Sequence, residues 1–137
     1  MSDWQVESEG DTFERFVRKL PAYEQAVALA AIEHILAKDG IDICQGEWGK
    51  ALGRGLYEFR IRHSLRAILG RAGVSSADVG TDRTVLLRVF CTFYGKHVVL
   101  LLHGYDKGRD PSTKRQIREI SKARLVLAGW IRRARTS

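Results

Sequence analysis

Apolar residues recur along this chain with two different periods. From Phe13 to Leu20 they fall at i, i+3, i+4 and i+7 (Phe13, Phe16, Val17, Leu20), the stripe of an amphipathic helix that Asp11 or Thr12 can cap. Pro21 interrupts the stripe and suits an early position of a second helix. That helix runs through AYEQAVALAAIEHILAK, with Val27, Ala30, Ile35 and Leu36 on a wide apolar face, and stops at Asp39-Gly40. After the connector IDICQGEWGKALGR the period drops to two. LYEFRIR alternates Tyr57, Phe59 and Ile61 against Leu56, Glu58, Arg60 and Arg62. TVLLRVFCTFY sets Leu87, Val89, Cys91 and Phe93 toward a core and Leu86, Arg88, Phe90 and Thr92 outward. Gly95-Lys96 reads as a two-residue hairpin turn, and VVLLL after it as a central strand covered on both faces. Asp110 and Pro111 then open a helix whose one side, with Ile117, Ile120, Leu127 and Ile131, stays apolar to about Trp130.

The expected order is α-α-β-β-β-α, with room for a further strand near the N-terminus or around residues 41–50. The fold class is α+β: an N-terminal helical hairpin packed on a small, mainly antiparallel twisted sheet, with a C-terminal helix. One domain spans residues 1–137, residues 1–10 forming a flexible N-terminus and residues 63–83, which contain GRAGVSSADVG, a long loop.

Charge adds an asymmetry. Residues 1–50 hold five Lys and Arg against ten Asp and Glu, net −5, whereas residues 51–137 hold eighteen against six, net +12. The cationic character therefore belongs to the sheet and the last helix, and some cations sit on strands, where solubility does not require them. That pattern suggests one face for a polyanion, with nucleic acid as the first partner to consider. The longest apolar run, Val98–Leu102, is far too short to span a bilayer, so a soluble, cytoplasmic protein without a membrane partner is expected. Cys44 and Cys91 form no CxxC pair, and Cys91 reads as a buried thiol.

Candidate chemistry narrows next. There is no Walker loop, no GxSxG and no HExxH, and the four histidines lack metal-ligand spacing, so neither a metal nor a cofactor is expected. A protein of this kind can still cleave RNA, because the substrate's own 2′-OH attacks the neighbouring phosphate. The protein then has to orient that hydroxyl, neutralise the transition-state charge and help the 5′-oxygen leave. Arg60, Arg62 and Arg88 suit charge stabilisation, since guanidinium matches phosphate oxygens bidentately. Lys107, His103 and Tyr105 are the candidates for acid–base work. Arg109, Lys114, Arg115 and Arg118 are candidate nucleic-acid contacts. Each has a plainer reading: Arg60 pairing with Glu58 or Asp106, His103 as a hydrogen-bonded structural histidine, Tyr105 as a cap on the core, and the remaining cations as solvated loop and helix surface.

Four stretches in order, FVRKLP, GLYEFRIR, LLRVFCTFYGKHVVLLLHGYDKG and DPSTKRQIREISKARLVL, cover nearly all of residues 12–130 and resemble the RelE/ParE superfamily of type II toxins, in its HigB-like, phage-associated branch. The resemblance implies a compact RelE-like fold and a metal-independent mRNA endoribonuclease acting on ribosome-bound mRNA. Arg60 and Arg62 lie where the family places sheet cations. Arg88 matches the arginine of the next strand, and Lys107 and Arg109 match the basic loop after the last central strand. Tyr105 stands near an aromatic position of some members. The implied partners are a cognate antitoxin, HigA-like with a helix-turn-helix, together with mRNA and the ribosome. The chain departs from the minimal toxins in its longer loop 63–83 and in having no clear counterpart of the RelE C-terminal tyrosine. Two other readings stay open: a ParE-like, non-catalytic inhibitor of DNA gyrase, and a catalytically degenerate RelE-fold interaction protein.

Overall fold

A computed structural model describes residues 3–75 and 80–136. It is α+β, with a five-stranded mixed sheet in the order β1-β5-β4-β3-β2. The elements are β1 (Gln5–Ser8), α1 (Thr12–Lys19), α2 (Ala22–Ala31), a π-helical turn Ile32–Leu36, α3 (Ala37–Asp39), a 3-10 turn Gly40–Gln45, β2 (Gly49–Gly53), β3 (Leu56–Ile61), α4 (Leu65–Arg71), β4 (Leu87–Tyr94), β5 (Val98–Asp106) and α5 (Thr113–Thr136). β2, β3, β4 and β5 pair antiparallel, and β1 adds to β5 in parallel, from Gln5 opposite Val98 to Ser8 opposite Leu101.

The sheet is covered on both faces. On one side Phe59, Ile61, Leu87, Val89, Cys91, Val99 and Leu101 meet Phe13, Val27, Ala28, Ala31, Ile35 and Leu36 from the helices. On the other, Leu56, Phe90, Leu100, Leu102 and Tyr105 meet Ala123 and Leu127 of α5. The alternation of VVLLL across β5 thus serves two cores, as its continuous apolar run predicted.

Several expectations are corrected. The stretch expected to be flexible, residues 1–10, holds β1, anchored by Trp4 N–H donating to Ala37 O at 2.7 Å and by Gln5 N–H donating to His97 O at 2.7 Å. Both sites considered for an extra strand carry one. The expected loop 63–83 contains α4, whose N-cap Ser64 Oγ accepts from Ala67 N–H, while residues 76–79 lie outside the described residues. The β4–β5 turn has three residues, with Gly95 at φ +55° and His97 at φ +58°, and His97 stacks on Trp4 at 4.7 Å. Asp11 makes no capping hydrogen bond and pairs instead with Arg15. Ser112, not Asp110, caps α5: its Oγ accepts from Arg115 N–H at 3.1 Å, and Asp110 accepts from Ser112 N–H.

The correction that matters most concerns the face predicted to point outward. Arg88, Phe90 and Thr92 are buried, and so are Leu56 and Glu58 of the neighbouring strand. Period-two alternation tells which residues share a face, but whether a helix lies over that face depends on a segment far along the chain.

Candidate functional site

Strand register assembles the site. Arg60 on β3 lies opposite Arg88 on β4, and Arg88 opposite Tyr105 on β5, so three expected residues form one row across the sheet on the face that α5 covers. The next row holds Glu58, Phe90 and His103. A bulge between Phe90 and Cys91 shifts the β4–β5 register at this point, which keeps His103 and Tyr105 on the same face as their partners. Phe90 stacks between their rings, at 6.0 Å from each.

Glu58 is the hub of the first row. Its fully buried carboxylate accepts from Arg60 Nε at 2.8 Å and stands 3.7 Å from Arg88 Nε. Of the two partners considered for Arg60, Glu58 is the one it pairs with. Arg88 is 4% exposed, and burial, opposed by Glu58, holds its pKa below the usual arginine range. Burial also pushes the Tyr105 hydroxyl up, with Glu58 adding to the rise. Lys107, half-buried just past β5, has its pKa lowered by partial burial and then by the nearby Arg88 charge. Three polar atoms of this group are buried without a hydrogen-bond partner: Glu58 Oε2, Arg88 Nε and Tyr105 OH. Buried polar atoms are nearly always paired, so three orphans in one place set this group apart from the apolar core around it.

A second carboxylate organises the other end. Glu119 on α5 is hydrogen-bonded to His103 Nε2 at 2.9 Å and to Arg115 Nε at 2.7 Å, with Lys122 Nζ at 3.4 Å. Burial raises its carboxyl, but the bonds from His103 and Arg115 outweigh this and hold it below the ordinary value. Burial lowers the His103 pKa, more than Glu119 raises it. The Glu119 carboxylate can only accept, so His103 donates to it from Nε2, and its buried Nδ1 has no hydrogen-bond partner among the described residues. Arg115 also lies over the Tyr105 ring at 5.2 Å, which joins the two carboxylate centres.

The remaining expected residues are more dispersed. Arg62 is exposed just beyond β3 and donates to Glu47 O at 3.1 Å. Arg109 is 65% exposed and pairs loosely with Asp106 at 3.5 Å. Lys114 and Arg118 are exposed on the first turns of α5, whereas Arg115 is turned inward to Glu119. The structure thus brings together Arg60, Arg88, Tyr105 and Lys107. It sets His103 in the adjoining row and leaves Lys114 and Arg118 on the helix surface.

Sequence reasoning did not single out Glu58 or Glu119 as organising residues. Signals existed for both: Glu58 shares the Arg60 face by alternation, and Glu119 falls four residues after Arg115 and three before Lys122. Among the described residues, no three His, Cys, Asp or Glu side chains gather where they could hold a metal ion, and no helix is long and apolar enough to cross a membrane. No protein-family model matches the chain, nor does any curated protein or solved structure.

Proposed function

We propose that this chain is the toxin of a type II toxin–antitoxin pair, with a RelE-like fold, and that it cleaves ribosome-bound mRNA in the cytoplasm without a metal ion. The observation that carries the reading is the row Arg60–Arg88–Tyr105, with Lys107 at its end and Glu58 beneath it. Arg60 and Lys107 retain exposure and are the groups that reach a phosphate. Arg88 and Glu58, both buried, are positioning residues that fix the Arg60 guanidinium. Arg62 and Arg109 meet the flanking RNA backbone.

In the reaction the 2′-oxygen bonds to phosphorus as the P–O5′ bond breaks, giving a 2′,3′-cyclic phosphate and a 5′-hydroxyl. The 2′-OH proton leaves to solvent water, and the Lys107 ammonium supplies a proton to the departing 5′-oxygen. Partial burial and the Arg88 charge lower the Lys107 pKa, a shift in the direction that eases donation. Arg60 stabilises the charge that builds on the non-bridging oxygens. The partner under this reading is a HigA-like helix-turn-helix antitoxin.

The burial of Arg88 and Tyr105 favours a second reading, in which the network is structural and the chain is a non-catalytic RelE-fold protein, either a ParE-like gyrase inhibitor or a binding module. Induced expression beside primer extension on a reporter mRNA separates the readings, comparing wild type with Arg60→Gln and Lys107→Ala. These two side chains are more exposed than Arg88, and because Arg60 pairs with the buried Glu58, the melting temperature of each variant is measured beside its activity. Growth arrest with discrete cuts, the cuts reduced about 10²-fold or more in either variant, is the expected result. Arrest without cuts would move the assignment to a gyrase-type target, and no arrest would leave a binding module.

A further inference from the structure

A cavity of about 480 Å³ opens beside the row, between α1, the end of β5 and α5. β1 stops pairing at Ser8 opposite Leu101, so among the described residues no strand covers the outer edge of β5 from His103 to Asp106, and α1 lies there instead. Gly104 makes this possible: a Cβ at that position would come within 2.5 Å of the Phe16 ring. Phe16 therefore seats directly on the strand and, with Leu20, gives the cavity an apolar wall.

The opposite character comes from cations. Arg15, Lys19, Arg109, Arg115 and Lys122 line the cavity against Asp106 and Glu119. Both carboxylates are already engaged, Asp106 by Arg109 and Gly108 N–H, and Glu119 by His103, Arg115 and Lys122. Lys19 has no ion pair among the described residues, and Arg15 has only an exposed contact with Asp11 at 3.4 Å. Tyr105, 2% exposed, lines the same cavity, and its buried hydroxyl has no partner.

We infer that this cavity is a nucleotide pocket, taking a flat base against Phe16 and a phosphate at Arg15, Lys19 and Arg109. Phosphate alone leaves the aromatic wall unused, and a nucleoside alone leaves the cations unused. The volume lies within the range of pockets for small organic ligands, and base–aromatic stacking with a cationic track is how single strands are held. Because Tyr105 belongs to both the pocket and the row, the nucleotide is one that flanks the phosphate held at Arg60. Its origin in an RNA strand rests on the proposed function, whereas the pocket's chemistry does not.

The test titrates the full-length, isotope-labelled chain with adenosine monophosphate, adenosine and inorganic phosphate, following amide resonances and heat of binding. The monophosphate is expected to bind about tenfold or more tighter than phosphate or adenosine and to shift Phe16, Lys19 and Gly104. The variant R15E/K19E is expected to lose about tenfold in that affinity while keeping the folded amide spectrum away from the cavity. A monophosphate no tighter than phosphate, or shifts that spare Phe16 and Gly104, would overturn the pocket. A non-cleavable 2′-deoxy trinucleotide identifies the source. Tighter binding than the monophosphate, weakened by Lys107→Ala, supports an RNA strand, and no gain overturns that origin in favour of a free nucleotide. Cleavage without monophosphate binding removes the pocket and keeps the proposed function; binding without arrest or cuts does the reverse.

Discussion

The two faces of the sheet solve the same packing problem with different materials. Under the N-terminal helices the face is apolar throughout, with Phe59, Ile61, Leu87, Val89 and Cys91 all buried. Under α5 the equally buried face interleaves Leu56, Phe90 and Leu102 with Glu58, Arg88 and Thr92. The first face contributes stability through area removed from water and close packing. The second gives up some of that for buried charge, which is stabilising only while every partner stays in place. A protein that needed only a core would be as well served by hydrophobic residues at Glu58 and Arg88, so the polar face is where function is to be sought.

Adjacent residues on opposite faces give the largest contrast. Phe59→Ala should cost about 3–5 kcal/mol through lost transfer energy and a cavity. Glu58→Ala should cost a similar 3–5 kcal/mol for a different reason, because it strands the Arg88 charge in the interior. Denaturant unfolding checks both, and the double variant E58L/R88M distinguishes them. Removing both charges should recover much of the Glu58→Ala loss, whereas adding Arg88→Met to Phe59→Ala should recover none. A double variant as unstable as Glu58→Ala would mean that the pair itself, not the stranded charge, matters.

Gly104→Ala ranks next. The new methyl would lie 2.5 Å from the Phe16 ring and 3.0 Å from Arg88 O, so a loss of about 1–3 kcal/mol is expected, with displacement of Phe16. A thermal melt reads the first effect and the near-ultraviolet spectrum the second.

Acid should weaken the polar face selectively. His103 has a folded pKa below its unfolded value, so the unfolded chain binds the proton first and stability falls as pH drops below about 6.5. Glu119, also lowered in the fold, contributes stability above about 4.5 that is lost as pH falls further through its folded pKa. Unfolding free energy measured from pH 8 to 5 should decline on the acid side, and His103→Gln should flatten that decline. An unchanged profile in the variant would assign the acid response elsewhere.

The smallest effect belongs to the surface. Asp11 and Arg15 form an exposed i,i+4 pair, and Asp11→Ala should cost no more than about 0.3–0.5 kcal/mol by denaturant unfolding, since no capping bond is lost with it.

Legibility followed the range of the interactions involved. Phe13, Phe16, Val17 and Leu20 announced α1 because a helix stripe is a local pattern, and Leu56 to Ile61 announced β3 for the same reason. β1 was foreseen only as room for a strand near the N-terminus, because four residues at a sheet edge carry little periodicity and it is held by a parallel neighbour some ninety residues away. α4 was hidden inside a Gly- and Ser-rich stretch that reads as loop. Of the site, the residue types were legible and the alternation put Glu58 with Arg60, but burial was not.

From its residues alone the chain determined the α+β class, the strand and helix periods, the basic second half, and the set of cations from which a site could be drawn. Only the tertiary structure decided that Arg60, Arg88 and Tyr105 share one row, that α5 closes over it, and that Glu58 and Glu119 hold it together. The reason is physical. Periodicity reports the face on which a side chain stands, while register, burial and charge pairing depend on segments brought together by the sheet, and no local pattern encodes those distances.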